Sequence, residues 1–188
     1  MSAQPDLGPP TTLVLVRHGH TELTGRDFSG GPEADPDLDG DGRQQAELVA
    51  GRLEEDYTGP YAEPVTALIV SPYARTRQTS EPIAEYLELE AVVDADWREV
   101  ESLEPEGLAA LTARMTGAVA AVLRAHPGET VAVVTHAGPI RAVLTAALAA
   151  GDEALWRLRV DPASLSVVRY WADGGIEVAA VNDTAHLR

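Results

Sequence analysis

With 188 residues, 45% of them hydrophobic, and a formal net charge of −16, the chain combines enough apolar material for a full core with a strongly acidic composition. Chains of this size rarely divide, so we expect one domain over residues 1–188, and a disordered chain is excluded. The acidity argues against nucleic acid and anionic membrane surfaces as partners. Cysteine and lysine are both absent, which excludes disulfides, thiolate chemistry, Schiff bases and a P-loop lysine.

The first ten residues have neither the basic nor the apolar part of a signal peptide. We expect residues 1–10 to form a flexible N-terminal extension. No apolar run in the sequence is expected to span a bilayer. These features together predict a cytoplasmic protein.

Short apolar runs alternate with amphipathic segments along the chain. In the first half of the chain the pattern predicts a strand at 12–16, a polar loop at 25–42, a helix at 43–55 and a strand at 65–70. A helix at 73–89, which Pro82 kinks or interrupts, and a short strand at 91–93 follow. The second half continues with a helix at 108–125, a strand at 131–135 and a helix at 140–150. Two final strands, 164–171 and 176–181, flank Ala-Asp-Gly-Gly and predict a hairpin. The order predicts an α/β fold with a mixed, mainly parallel sheet covered on both faces.

Arg17 and His18 directly follow the first predicted strand. This is the mouth of the first strand–helix junction, where α/β proteins place their chemistry. A neutral imidazole is a nucleophile near pH 7, and a guanidinium can hold phosphate oxygens in a fork. Gly19 would let the backbone pass close to a ligand. Taken alone, the tripeptide Arg17-His18-Gly19 is more typical of a structural histidine beside a solvated arginine at the end of a strand.

Two further strand ends carry residues of the same kind. Arg75 falls in the first turn of the helix after the second strand, and His136 directly follows the strand at 131–135. Because parallel strands present their carboxyl ends at one edge of a sheet, these side chains are expected to converge with Arg17 and His18 on one crevice. A helix beginning near Gly138 would add backbone N–H groups and the positive end of its dipole. The sequence therefore predicts an anion site in an acidic protein.

The order of these motifs resembles that of the histidine phosphatase superfamily. The matching segments cover nearly the whole chain: RHGHT at 17–21, LDGDGRQQA at 38–46, SPYARTRQT at 71–79, WREV at 97–100, THAGPIR at 135–141 and NDTAHL at 182–187. The resemblance implies the phosphoglycerate-mutase-like fold, a three-layer α/β/α architecture. It also implies that the chain acts on phosphate esters.

The resemblance implies a role for each residue of the crevice. His18 would attack the phosphoryl group and become phosphohistidine. Arg17, Arg75 and His136 would bind the equatorial oxygens and supply the electrostatic stabilisation that dominates phosphoryl transfer. These groups take the place that Mg²⁺ has in other phosphoryl-transfer enzymes, so no metal and no cofactor is expected.

Glu99 in the WREV segment is the implied general acid. It would protonate the leaving oxygen and then act as base on the hydrolytic water. Glu101, two positions further on, is the local competitor for this role. The pH profile of such an enzyme would fall on the alkaline side as Glu99, or a cationic His136, loses its proton, and on the acid side as His18 gains one.

The candidate substrate-binding residues depart in part from the family pattern. Thr24 stands where the family commonly has an asparagine that helps to bind phosphate. Ser29 and Gly30 keep the family's Phe-Thr/Ser-Gly element, and Ser29 is expected either to contact the substrate or to be an ordinary loop serine. Ala137, in the second histidine motif, completes the set.

The stretch between Glu99 and His136 favours hydrolysis over phosphoryl re-transfer. A mutase needs extra cations and a lid that excludes water, and the mutases of the family carry a long insertion here. In this chain the stretch is short and its only cations are Arg114 and Arg124. The sequence therefore predicts a phosphomonoesterase that acts on a small-molecule phosphate ester. A cofactor-dependent phosphoglycerate mutase and a non-catalytic phosphoester-binding pseudoenzyme are the alternatives.

Overall fold

The computed structural model describes residues 8–25, 35–55, 64–100 and 104–188. Its strands are β1 Thr11–Arg17, β2 Val65–Val70, β3 Ala91–Val93, β4 Thr130–Thr135, β5 Leu165–Tyr170 and β6 Ile176–Asp183. Its α-helices are α1 Gly40–Glu55, α2 Ala74–Tyr86, α3 Pro105–Ala125 and α4 Ala137–Ala147. Residues 1–7 of the expected N-terminal extension lie outside the described residues.

All six strands belong to one sheet in the order β3-β2-β4-β1-β5-β6. Strands β3, β2, β4 and β1 run parallel, while β5 pairs antiparallel with β1, and β6 pairs antiparallel with β5 as a hairpin. This confirms the predicted mixed, mainly parallel sheet. The carboxyl ends of β2, β4 and β1 therefore lie side by side at one edge.

Two apolar clusters cover the two faces of this sheet. Alternate residues of the central strands point to opposite faces, as the two-residue period of a strand requires. On one face the fully buried Leu15 and Val133 pack with α3 and α4; on the other, Val14 and Val134 pack with α1 and α2. The helices on both faces give the predicted three-layer α/β/α architecture.

Helix α3 is the one described segment that is long and apolar enough to cross a membrane. Its residues Gly107–Ala125 reach a mean hydropathy of 1.3, which the sequence analysis did not expect. This resemblance to a membrane-spanning helix rests only on the length and the composition of α3. In the fold, one stripe of the helix packs on the sheet as part of the core: Leu111, Met115, Ala118 and Val122.

The helix ends differ most from the predicted ones. Helix α2 runs through the buried Pro82 and stops at Tyr86, and α4 begins at Ala137 and stops at Ala147. Glu88 and Ala149, just past the two ends, have φ of 54° and 49°. A left-handed residue stops a helix, but the usual glycine signal for it is missing at both places.

Candidate active site

A cleft of about 280 Å³ opens at the carboxyl ends of β1 and β4. Its walls include six of the residues singled out from the sequence: Arg17, His18, Thr24, Arg75, Glu99 and Ala137. His136 lies behind His18, with 5.2 Å between the two ring centroids. The strand ends thus bring the predicted residues together from four separate parts of the chain.

The surroundings of His18 favour a neutral imidazole with a lone pair on Nε2. Its Nδ1 lies 2.8 Å from the carbonyl oxygen of Gly19. Because a carbonyl can only accept, Nδ1 carries the proton and Nε2 keeps its lone pair. Burial lowers the pKa of His18 well below its usual value, and the nearby Arg17 and Arg75 lower it further. The side chain is 6% exposed, so this nucleophile is shielded from bulk water.

The two arginines are fixed by different partners. Arg17 Nη1 donates to the carbonyl of Val160 at 2.7 Å, and Arg17 Nε is buried with no partner among the described residues. Arg75, the second residue of α2, donates from Nη1 to Asp35 Oδ1 at 3.0 Å, and its guanidinium lies 4.7 Å from the centre of the Tyr73 ring. Both guanidinium groups border the cleft, where they can bind an anion.

Asp35 is a functional neighbour that sequence reasoning did not single out. Its Oδ2 accepts the Ala74 N–H at 2.7 Å at the start of α2, while its Oδ1 accepts from Arg75. One carboxylate therefore binds both the helix start and the arginine that follows it. Asp35 is one of several aspartates in the predicted polar loop, and nothing in the local pattern distinguishes it.

His136 is a buried histidine whose surroundings favour the neutral form. Its Nε2 lies 2.7 Å from Ser71 Oγ, and its Nδ1 has no hydrogen-bond partner among the described residues. Burial lowers the pKa of His136 well below its usual value, and the cations around it add to this effect. When Ser71 donates to Nε2, the proton of the ring is on Nδ1 and is available for a phosphoryl oxygen. The lowered pKa favours the neutral form of His136 over the cationic alternative.

Glu99 is a buried carboxyl group at the same cleft. It is 8% exposed, and Oε1 accepts the backbone N–H groups of Val100 at 2.8 Å and Gly138 at 3.2 Å. A Cβ on Gly138 would overlap Glu99 Oε1, so this contact requires glycine. Burial raises the pKa of Glu99, although the two N–H groups and the arginines oppose it. A carboxyl that stays protonated to higher pH is suited to act as a general acid.

Thr24 and Ala137 are the members of the predicted substrate-binding set that the structure describes. Thr24 borders the cleft, and its Oγ1 accepts the Thr21 N–H at 2.9 Å and shares a hydrogen bond with Thr21 Oγ1 at 3.2 Å. When Thr21 is the donor in that second bond, the Thr24 proton can be donated into the cleft. Ala137 is the first residue of α4 at the cleft wall. Ser29, Gly30 and the competing Glu101 lie outside the described residues.

Gly19 lies close to the backbone at the start of α1. A Cβ on Gly19 would lie 2.6 Å from the carbonyl oxygen of Gly42 at the start of α1. A side chain at Gly19 is therefore already excluded by the protein's own backbone, and the expected close approach to a ligand stays a prediction. The neighbouring His20 turns away from the nucleophile and pairs through Nδ1 with Asp39 Oδ2 at 2.5 Å.

Comparison with known proteins gives consistent results. The model of the histidine phosphatase superfamily (branch 1) matches residues 13–110 and 101–184. A bifunctional protein of Mycobacterium tuberculosis is 32% identical over 96% of this chain, and the chain spans only 56% of that protein's length. A probable phosphoglycerate mutase of Yersinia enterocolitica is 30% identical, with 93% of this chain and 94% of that protein covered.

Solved structures agree on the fold. Phosphoserine phosphatase from Entamoeba histolytica, in complex with 3-phosphoglyceric acid, has a TM-score of 0.81 to this chain at 18% identity, covering 95% of this chain and all of the other. This likeness confirms the phosphoglycerate-mutase-like fold. The family model, the relatives and the order of the strand-end motifs lead to one conclusion, that the chain belongs to the histidine phosphatase superfamily.

Proposed function

We propose that the chain is a metal-independent phosphomonoesterase that hydrolyses small-molecule phosphate esters through a phosphohistidine at His18. The observation that carries this proposal is the state of His18, a neutral imidazole whose Nδ1 is bound to Gly19 and whose Nε2 keeps its lone pair. Two guanidinium groups and a buried carboxyl group border the same cleft. This is the set of groups that phosphoryl transfer to a histidine requires.

The first half-reaction transfers the phosphoryl group to the protein. His18 Nε2 attacks phosphorus while the bond between phosphorus and the leaving oxygen breaks. Glu99 gives its proton to that oxygen, and the alcohol departs. Arg17, Arg75 and the Nδ1–H of His136 stabilise the charge on the equatorial oxygens.

The second half-reaction returns the protein to its starting state. Glu99, now a carboxylate, takes a proton from water as the water oxygen attacks phosphorus. The phosphorus–nitrogen bond breaks and its electron pair returns to His18 Nε2. Inorganic phosphate leaves, and Glu99 is again protonated.

Hydrolysis is favoured over a mutase reaction by the surroundings of the cleft. Arg114, one of two cations between Glu99 and His136, donates to backbone carbonyls, and Arg124 is exposed near the end of α3. One similar protein is a phosphoserine phosphatase by name and another a probable phosphoglycerate mutase. Arg141 borders the cleft and is the feature that favours the mutase alternative. Turnover without added 2,3-bisphosphoglycerate separates the two activities.

The nucleophile is tested by trapping the intermediate. We expect the protein to hydrolyse members of a phosphomonoester panel, with EDTA leaving the rate unchanged, and to form an acid-labile, base-stable phosphoenzyme. His18→Ala should lose nearly all turnover and the phosphoenzyme, whereas His126→Ala, at the other end of the sheet, should keep both. An acid-stable adduct, substantial activity in His18→Ala, or EDTA inhibition reversed by a divalent cation would contradict the proposal.

A further inference from the structure

The backbone that carries Glu99 lies outside the sheet and the α-helices. Ala95–Trp97 form one 3-10 turn, and Arg98 is extended with φ −64° and ψ 158°. Side chains hold most of the carbonyl groups of this segment instead: Arg98 Nη1 donates to Ala95, Thr135 Oγ1 to Trp97, and Arg114 to Asp96, Arg98 and Glu99. A single side chain, that of Arg114, thus engages three of the five carbonyls.

The geometry of Arg114 fits this task. Its Nη1 lies 2.5 Å from the carbonyl oxygen of Asp96 and 2.7 Å from that of Arg98, and its Nη2 lies 3.4 Å from that of Glu99. A guanidinium has five N–H donors in a rigid fork, so it can hold several acceptors in a fixed arrangement. A lysine ammonium is a single point on a flexible stem and cannot hold the same set.

Arg114 acts from a fixed position. It lies in α3 between Leu111 and Met115, each 2% exposed and part of the core cluster on that face of the sheet. Because these neighbours fix the helix against the sheet, the guanidinium ties the Glu99 segment to the core. Trp97, which is fully buried, anchors the same segment in the same core cluster.

The carboxyl group of Glu99 depends on this placement. Its Oε1 accepts one N–H from Val100, on its own segment, and one from Gly138, on α4. It can meet both only while the backbone at Glu99 stays in place relative to the start of α4. A displacement of about 1 Å at a reacting group can reduce a rate by about 10²-fold.

We propose that Arg114 is a positioning residue for the general acid: by holding the backbone carbonyls of Asp96, Arg98 and Glu99, it fixes the Glu99 carboxyl group where it can protonate the leaving oxygen. This inference rests on the proposed function. It assigns to Arg114 no contact with the substrate. Its loss should therefore affect only the step that Glu99 serves.

The leaving group provides the readout. An alkoxide needs protonation to depart, whereas p-nitrophenolate does not. In Arg114→Gln we expect kcat/KM for glycerol 2-phosphate, or for the best alkyl phosphate of the panel, to fall about 10- to 100-fold, while kcat/KM for p-nitrophenyl phosphate changes by less than about 3-fold. Arg124→Gln removes the same charge from an exposed position of the same helix and should leave both values unchanged.

A double-mutant cycle separates positioning from general destabilisation. If Arg114 acts through Glu99, adding Arg114→Gln to Glu99→Gln should cause little further loss on the alkyl phosphate. Equal losses on both substrates, or losses that multiply in the double variant, would overturn the inference. Should Arg114→Gln fail to fold, the same cycle with Arg114→Lys decides the question by the same criteria. A parent protein that hydrolyses no phosphomonoester would instead refute the proposed function.

Discussion

The two ends of the parallel strands differ in how they treat polar groups. At the amino-terminal end, Thr11 Oγ1 donates to the carbonyl of His126 at 3.0 Å and accepts the Gly128 N–H at 2.9 Å. There the ring of His126 pairs with the exposed Glu129 through Nδ1 at 2.9 Å. Each of these groups has a nearby partner, and the arrangement closes the turn between α3 and β4.

The carboxyl-terminal end gathers like charges and leaves donors unused. Burial lowers the pKa of His18 and of His136, and Arg17 and Arg75 lower both further. Two buried nitrogens, Arg17 Nε and His136 Nδ1, have no partner among the described residues. Such a cluster is unfavourable until an anion binds. One end of the sheet therefore satisfies its polar groups within the fold, while the other end holds an unfavourable arrangement that the phosphoryl group of the proposed function would relieve.

The largest effect in this comparison is expected for Glu99→Gln. An alkyl phosphate should lose about 10²- to 10⁴-fold in kcat/KM, because the amide cannot protonate the leaving oxygen. An aryl phosphate should lose far less, since its leaving group departs unprotonated. Glu129→Gln, at the amino-terminal end, is the matched control and should leave kcat/KM for both substrates at the parent value.

Glu101→Gln tests the competing assignment of the acid. Steady-state kinetics with the same two substrates are sufficient. If Glu101→Gln shows the leaving-group-dependent loss and Glu99→Gln does not, the acid is two residues further along the chain than we infer.

A somewhat smaller but uniform effect is expected for Arg75→Ala. The guanidinium binds the phosphoryl group itself, so alkyl and aryl phosphates should both lose roughly 10²- to 10³-fold in kcat/KM. Arg169→Ala is the control, because Arg169 pairs in register with Thr12 near the amino-terminal end of β1 and bridges to Glu177 at 3.2 Å. A loss in Arg75→Ala that depends on the leaving group would place Arg75 with the acid instead of the phosphoryl group.

The sequence predicts most of the fold because the central strands are unusually clear. Buried on both faces, β1 and β4 are continuous apolar runs, and no predicted end of either strand differs from the observed one by more than one residue. The helix ends were less predictable. Glu88 and Ala149 are exposed and adopt left-handed φ values, and the residues after them, Leu89 and Ala150, donate their N–H groups back to the carbonyls of Ala84 and Thr145. Neither Glu88 nor Ala149 is a glycine, so no residue type marks the ends of α2 and α4 in advance.

The site, too, has residues that the sequence pattern predicts and residues that it does not. His18, Arg75 and His136 could be predicted to meet because each follows a strand, and the topology of a parallel sheet brings strand ends together. Asp35 and Arg114 could not, because they reach their partners from a polar loop and from the middle of a helix. On an acidic chain an aspartate, like a helical arginine, is ordinarily solvated, and only the three-dimensional contacts distinguish these two.

The smallest expected effect concerns pH and compares histidines at the two ends. His18 has a pKa well below 6.5 in the folded protein because of burial and the nearby arginines. Below about pH 6.5 the unfolded chain binds a proton at this residue that the folded protein does not, so His18 lowers stability as the pH falls from there towards the folded pKa. His18→Asn removes this contribution. Its thermal midpoint should therefore fall less steeply on acidification than that of the parent, by on the order of a few degrees across the window.

His126→Asn is the matched control, since the His126 ring lies at the partly exposed end of the sheet beside Glu129. Differential scanning calorimetry of the parent and both variants between pH 7.5 and about pH 5 measures the three slopes. The activity profile gives an independent check. Burial raises the pKa of Glu99, so the alkaline limb of kcat/KM for an alkyl phosphate should belong to Glu99 and disappear in Glu99→Gln. Parallel slopes for His18→Asn and the parent would mean that His18 takes up its proton as readily in the folded protein as in the unfolded chain, and the nucleophile would then be cationic at the acid end of its working range.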